Sequence, residues 1–192
     1  TRQDFLAAEG AVVIVRQPPP AAPPAPGQPP MVPANPAEGP EVLLSIWDDG
    51  RAIGLHGHVD LGTGIRTALA QIVAEELDLG LDQVDLVLGD TARAPNQGPT
   101  IASASIQIHS VPLRQAAAQA RGWLVAEAAG RLGLPADRLV VERGLVRCRD
   151  RDGGGDGGGG GDGDGDAVPT AISYGDLVRG RRIVLELDTG VA

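Results

Sequence analysis

The amino-acid sequence predicts an α+β fold with one small mixed sheet and two main helices. Three observations predict this class: apolar runs of strand length, turn sequences that join such runs in pairs, and two longer segments whose apolar residues recur at helical spacing. The length of 192 residues indicates one domain or at most two.

Residues 1–40 are predicted to form an extended, proline-rich N-terminal arm. Eleven of the 16 prolines fall between Pro18 and Pro40, and proline removes the N–H donors that a helix or a central strand needs. This stretch is interpreted as a linker or a strap along a partner, with a ligand for an SH3-like domain as the alternative. Arg2 to Leu6 are similar to a twin-arginine signal, but Gln3 and Glu9 break the pattern, which favours a relic or an ordered arm.

The compact region predicted for residues 41–192 opens with a hairpin. Val42 to Trp47 form its first strand, and after a tight turn Ala52 to Asp60 form the second. A helix is expected to open at the Gly62–Gly64 turn and to end before Gly80, because apolar side chains from Ile65 to Leu77 recur at helical spacing. Val84 to Leu88 then form a short strand, which a polar loop follows.

The second main helix is expected to begin near Ser110, whose side chain can cap its first turn, and to end at Gly133 and Pro135. Its apolar stripe consists of Leu113, Ala117, Ala120, Leu124 and Ala128. The chain has only four aromatic residues, namely Phe5, Trp47, Trp123 and Tyr174. Because aromatic side chains carry much of a core's buried area, we expect another polypeptide to cover these helix stripes and complete the domain.

The C-terminal part is predicted to hold a hairpin and a last helix and strand. Leu139 to Cys148 form the hairpin, residues 172–178 the short helix and residues 183–187 the strand. Between them, residues 150–166 consist almost entirely of Gly and Asp. They are interpreted as a flexible loop. A calcium-binding repeat is the alternative, although such a repeat needs a large apolar residue in every period and none occurs here.

Charge and composition exclude several classes of function. Sixteen basic residues, all arginine, face 25 acidic ones, and a net charge of −9 opposes binding to nucleic acid or anionic lipid. No apolar run approaches the roughly 18 residues of a spanning helix. The single cysteine, Cys148, excludes an intrachain disulfide and a self-contained iron–sulfur cluster, and is predicted to be a buried thiol.

The histidines do not form a recognisable catalytic or metal-binding motif. His56 and His58 stand two positions apart, so on a strand they share one face and could form half of a metal site. No third ligand lies at a supporting spacing, and His109 has no obvious partner in the sequence. We therefore predict no catalytic residue and no metal ligand in this chain.

Two segments have the composition of ligand-binding loops. Gly62 and Gly64 lie at a strand-to-helix turn, where unpaired backbone N–H groups at the positive end of a helix can approach an anion or a polar ring. Thr100, Ser103 and Ser105 offer small hydroxyl groups that would not obstruct a ligand. Each pattern is common by itself.

In this order and spacing, the two segments resemble the molybdopterin-binding subunits of the xanthine oxidase family. The blocks that carry the resemblance are residues 57–77, 89–91, 95–96, 100–105 and 113–118, including Gly57-His-Val-Asp-Leu-Gly-Thr-Gly and Thr100-Ile-Ala-Ser-Ala-Ser. The branch that they resemble most contains the nicotinate dehydrogenase and isoquinoline 1-oxidoreductase large subunits, whose N-terminal arm is similar to Arg2–Leu6.

The resemblance implies a role in hydroxylating an N-heteroaromatic, nicotinate-like substrate, with water as the oxygen source. It implies a molybdopterin cofactor with molybdenum, in the cytosine dinucleotide form, shared with a larger chain that carries the catalytic glutamate. It also implies 2Fe–2S clusters on a partner subunit and a cytochrome c electron acceptor. The cofactor-binding residues that it implies are Gly62, Thr63, Gly64, Thr100, Ala102, Ser103 and Ser105, with Ala102 nearest the metal.

Departures from the family pattern limit what this chain can do. Thr63 stands where the family usually has a cofactor-contacting glutamine, and the family's catalytic glutamate segment is absent from the 192 residues. The chain is therefore expected to be non-catalytic alone. Alternatives are an aldehyde-oxidising member of the family and a non-catalytic assembly subunit. The location stays open, with the cytoplasm favoured over the periplasm or a membrane-associated site.

Overall fold

The computed structural model describes residues 1–18, 39–149 and 171–189. The predicted Gly/Asp-rich loop at 150–166 and most of the proline-rich stretch lie outside these residues. The described strands, in chain order, are β1 (Ala11–Arg16), β2 (Glu41–Trp47), β3 (Ala52–His56), β4 (Val84–Leu88), β5 (Leu139–Glu142), β6 (Leu145–Cys148), β7 (Ala171–Ser173) and β8 (Arg182–Glu186). The helices are α1 (Arg2–Ala7), α2 (Ile65–Leu77), α3 (Ala104–Gln107), α4 (Val111–Leu132) and α5 (Tyr174–Val178).

The main sheet is mixed and has the strand order β4-β3-β2-β1-β8. The central strand β2 pairs antiparallel with both β1 and β3, whereas β1 pairs with β8 and β3 pairs with β4 in parallel. This arrangement confirms the predicted α+β class and the predicted first hairpin. The parallel pair β3–β4 brings His56 opposite Leu88, so the two loops that leave these strands start at the same sheet edge.

The helices α2 and α4 pack on one face of this sheet. All five stripe residues predicted for α4 are buried, and they share one core cluster with the buried residues of α2. The expectation that another polypeptide must cover these stripes is wrong. Ala116, Ala117 and Ala120 carry so little bulk that α4 lies close to both α2 and the sheet, and the chain buries the stripe itself.

The N-terminal residues belong to the fold and are not an extended arm. Strand β1 is buried along nearly its whole length, as expected for an Ala-Val-Val-Ile-Val run covered on both faces. Phe5 of α1 packs on the opposite face of the sheet from α4, with its ring centroid 6.1 Å from that of Trp47. The predicted boundary at residue 41 therefore fails for the first 16 residues.

A second, three-stranded sheet has the order β5-β6-β7. Its hairpin turns at Arg143 and Gly144, which both have positive φ, as a type I′ turn requires. Residues 171–173 form a strand rather than the start of the last helix, which begins after Ser173, whose hydroxyl accepts a hydrogen bond from the Asp176 amide. Cys148, the last residue of the central strand β6, is half-buried, not buried as predicted, because the described pairing with β7 reaches only to Arg147.

Two further local predictions need correction. The strand β3 ends at His56, not at Asp60, because the Gly57 amide donates to the Gln97 side chain and leaves the sheet. Ser110 occupies the predicted N-cap of α4, but its hydroxyl donates to the Ile106 carbonyl (2.5 Å) rather than capping the helix. None of the helices in the described ranges is long and apolar enough to cross a membrane.

Candidate functional site

The two segments singled out in the sequence meet at the edge of the sheet where β3 ends. Between them lies a groove of about 380 Å³ with the lining residues Val59, Leu61, Thr63, Ile65, Thr100, Ile101, Ala102, Ser103, Ser105 and Ile106. Five of the seven predicted cofactor-binding residues line it. Gly62 and Gly64 shape the turn beside the groove but are not among its lining residues.

Side-chain hydrogen bonds join the two walls of the groove. The Gly57 amide donates to Gln97 Oε1 (2.7 Å), and the Val59 amide donates to Thr100 Oγ1 (3.0 Å). Ser105 Oγ lies 2.7 Å from His58 Nδ1. Thr100 and Ser105 therefore hold the loops together, a role that was not predicted for them from the sequence.

Residues 100–106 form the second wall of the groove. A buried carboxylate anchors the loop that precedes this wall to the sheet. Glu41 of β2 accepts the Asn96 amide through Oε1 (2.8 Å), while its Oε2 pairs with the Arg16 guanidinium at 2.8 Å. Gln97 Nε2 then donates to the His109 carbonyl (2.9 Å). Neither Glu41 nor Gln97 stood out in the sequence, because nothing in local spacing shows a contact across 55 residues.

The Gly62–Gly64 turn does not offer free N–H groups, contrary to the sequence prediction. Asp60 Oδ1 accepts the amides of residues 62, 63 and 64, at 2.9, 3.0 and 3.2 Å. Its Oδ2 accepts the Arg66 amide in the first turn of α2 (3.2 Å). These hydrogen bonds, above all the one from the Arg66 amide, hold the pKa of the Asp60 carboxyl below its usual range. The Asp60 carboxylate therefore already occupies the anion-binding position of this turn.

Replacing Asp60 with alanine is expected to loosen this turn. The four amides lose their common acceptor, so hydrogen exchange at residues 62–66 should become several-fold faster. Asp60→Asn keeps a carbonyl oxygen at the Oδ1 position and should protect 62–64 while releasing Arg66. Because the pKa of Asp60 is lowered, the hold of the wild-type carboxylate should persist below pH 4. Equal exchange in wild type and Asp60→Ala would contradict this role.

The second wall contains two consecutive residues in an unfavourable backbone conformation. Ala102 and Ser103 have φ values of 57° and 53°, and the Ala104 amide closes the turn on the Ile101 carbonyl at 3.2 Å. Positive φ at residues with a Cβ costs of order 1–3 kcal/mol and persists only where the surroundings enforce it. Both residues are exposed on the groove side. Such strain is typical of sites that present the main chain to a ligand.

Behind the groove lies a cluster of three histidines, which was not predicted from the sequence. The ring centroid of His58 lies 5.2 Å from that of His56 and 4.3 Å from that of His109. His56 and His58 are fully buried, and the His58 amide donates to His56 Nδ1 (3.2 Å). In the described part of the chain, no group of three His, Cys, Asp or Glu side chains is arranged to hold a metal ion.

Burial lowers the pKa of His56 to about 4, and the neighbouring His58 and His109 rings add to the effect. In the unfolded chain the ring has a pKa near 6.5, so below that pH only the unfolded state takes up the proton. We therefore expect roughly 3 kcal/mol of stability to be lost between pH 6.5 and pH 4. The pKa of His109, also lowered by burial, acts in the same direction.

The measurement is the denaturant midpoint at several pH values for wild type and His56→Asn. Asparagine still offers an oxygen to the His58 amide but does not titrate, so its profile should be flatter over this range. A wild-type profile as flat as that of His56→Asn would show that His56 is not the group responsible.

Comparison with known proteins identifies the family of this chain. Residues 25–163 match the model of the molybdopterin cofactor-binding domain. A nicotinate dehydrogenase subunit of Pseudomonas putida is 54% identical over 147 residues, which are 76% of this chain and 12% of that protein. The beta subunit of isoquinoline 1-oxidoreductase from Brevundimonas diminuta is 36% identical over 122 residues, which are 59% of this chain and 16% of that protein.

A solved structure has the same fold. Reconstituted CO dehydrogenase from Oligotropha carboxidovorans superimposes with a TM-score of 0.52 at 22% identity and covers 69% of this chain but 14% of that protein. This chain thus spans a small part of the length of the relatives that it matches. The resemblance drawn from the sequence is confirmed, and the chain belongs to the molybdopterin cofactor-binding domain family.

Proposed function

We propose that this chain forms one wall of the molybdopterin site of a multi-subunit molybdenum hydroxylase that acts on an N-heteroaromatic, nicotinate-like substrate. The observation that carries the proposal is the groove in which Thr63 and the strained Ala102–Ser103 turn face the same space. The similarity to subunits of a nicotinate dehydrogenase and of an isoquinoline oxidoreductase supports the substrate class. The cofactor-binding domain comprises residues 41–192 together with α1 and β1.

The residues of the groove suit the pterin part of such a cofactor. Leu61, Ile101 and Ile106 provide apolar surface for a flat ring system, and the Thr63 and Ser103 side chains are exposed beside them. A phosphate does not fit at the Gly62–Gly64 turn, because the Asp60 carboxylate occupies its N–H groups and would repel a second anion. The phosphates of a cytosine dinucleotide cofactor therefore bind to another part of the protein.

The molybdenum cofactor, when bound, supplies the oxidation of the ring carbon with oxygen from water. Within this chain, Thr63 and Ser103 would orient the pterin, and the main chain at Ala102 would help to hold it. The apolar wall excludes water from that side of the site. A larger chain would supply the glutamate base, and a further subunit with 2Fe–2S clusters and an acceptor such as cytochrome c would complete the assembly.

An apolar surface around the groove fits this place in an assembly. Leu61 and Ile101, which both line the groove, are 72% and 62% exposed, which is unusual for large apolar residues that lie close together. The relatives are several times longer than this chain. We propose that the larger molybdopterin-binding chain covers this surface.

The experiment that tests the proposal is Thr63→Gln in the purified complex, because it restores the side chain usual in the family. Molybdenum and pterin content per complex should be preserved or raised. Thr67→Gln on the exposed face of α2, away from the groove, is the matched control and should change neither. The second candidate, an assembly subunit without cofactor contacts, is favoured by Thr63 itself. It would gain if Thr63→Gln lowered the molybdenum content while Thr67→Gln left it unchanged.

A further inference from the structure

We propose that His58 is a positioning residue, which acts through Ser105 to hold the Ala102–Ser103 turn in its left-handed conformation. The significance of that turn for cofactor binding rests on the proposed function above. The effect of His58 on the conformation of the turn involves residues of this chain alone and can be tested without cofactor.

The direction of the hydrogen bonds around His58 follows from its partners. His58 Nε2 faces the Gln97 carbonyl at 3.4 Å, and a carbonyl oxygen can only accept. With the ring proton on Nε2, Nδ1 is an acceptor, so the Ser105 hydroxyl donates to it at 2.7 Å. Ser105 is 8% exposed and His58 is fully buried, so water does not compete freely for this bond.

The position of this bond explains what it does. Val59, the residue after His58, donates its amide to Thr100 Oγ1, two residues before Ala102. His58 itself contacts Ser105, two residues after Ser103 and inside α3. The consecutive residues His58 and Val59 thus form hydrogen bonds on both sides of the strained turn. Residues with a Cβ leave positive φ when they are free to do so, and these two anchors prevent it.

The other two histidines lie beside the ring of His58. The His56 and His109 rings pack against it, and His56 Nδ1 accepts the amide of His58. The charged group that faces His109 is Arg16, which pairs with Glu41. The His56 ring also interacts with the Ser105 main chain. The hydrogen bond to the Ser105 hydroxyl comes from the His58 ring.

The test compares hydrogen exchange at residues 100–106 in the purified protein for His58→Leu, Ser105→Ala and their double variant. Each single variant should raise exchange about tenfold, the effect of one buried hydrogen bond. The double variant should raise it no further, because both changes remove the same bond. His58→Asn, whose amide lies near the position of Nδ1, should restore most of the protection. His109→Leu, which removes packing but not the bond, should change exchange little.

NMR spectroscopy adds a measurement of the hydrogen bond at His58 Nδ1 itself, which a change in packing alone would not affect. The 15N shifts of the His58 ring should show an unprotonated, hydrogen-bonded Nδ1 in wild type and lose the hydrogen-bond shift in Ser105→Ala, a variant small enough to fold. Unchanged exchange and unchanged ring shifts in Ser105→Ala would overturn the proposal, as would equal effects of His109→Leu and His58→Leu.

The same variants separate this proposal from the proposed function. Faster exchange together with lower molybdenum content in the purified complex supports both. Faster exchange with normal molybdenum content leaves the hold by His58 standing and counts against a cofactor contact at Ala102–Ser103.

Discussion

Replacing Ala102 with leucine is expected to abolish molybdenum retention and turnover of the complex while the melting temperature changes little. Ala102 is exposed in the groove, so a leucine side chain would occupy the space that we assign to the pterin. The cost to folding is small, because the residue is not packed in the core. Its left-handed φ of 57° is already strained by of order 1 kcal/mol in the wild type.

Two further variants control for this result. Ala102→Gly relieves the backbone strain without adding bulk, and it should keep the cofactor with equal or higher stability. Ala126→Leu makes the same change at an exposed position of α4 outside the groove and should leave molybdenum content unchanged. Normal molybdenum and turnover in Ala102→Leu would show that this chain does not line the cofactor site and would favour the assembly-subunit alternative.

The second large effect is expected for Gly57→Ala, which should lower stability by about 3 kcal/mol and also lose the cofactor. A Cβ at residue 57 would lie 2.3 Å from the Pro95 carbonyl oxygen and 3.0 Å from the Gln97 amide nitrogen. Both atoms belong to the main chain, so the two walls of the groove must separate. Overpacking of this kind costs typically 1–3 kcal/mol, and here it also breaks the bond from Gly57 to Gln97.

Denaturant unfolding of the matched variant Gly122→Ala provides the comparison. Gly122 lies in α4, where a Cβ would meet open space, so alanine should stabilise the protein by about 0.5–1 kcal/mol. Equal unfolding midpoints for Gly57→Ala and wild type would mean that the walls are not tied together at this point.

The elements that depend on local pattern were predictable from the sequence. Helix α2 lies within the stretch predicted for it, between the Gly62–Gly64 turn and Gly80, and the buried stripe of α4 is the predicted one. Strand β1 was missed because its partners β2 and β8 lie far along the chain, and β8 pairs with it across about 170 residues. The Ala-Val-Val-Ile-Val run is itself typical of a buried strand, but the local sequence does not show which strands it pairs with.

The site shows the same division between local and distant information. The two loops and five of the groove residues followed from their composition and from the family resemblance. The contacts that define their roles did not. The Asp60 carboxylate accepts the N–H groups of the Gly62–Gly64 turn, and residue spacing does not reveal these hydrogen bonds. His109 meets His58 only because the chain returns to the end of β3 after 51 residues.

The position of the cofactor in the groove between Thr63 and Ala102 underlies the proposed function, and a structure of the molybdenum-loaded complex would reveal it. We expect the pterin in van der Waals contact with the Ala102–Ser103 main chain and the Thr63 side chain, with its phosphates away from the Asp60 turn. Cofactor bound elsewhere, with the groove filled by side chains of a partner chain, would show that this proposal is wrong.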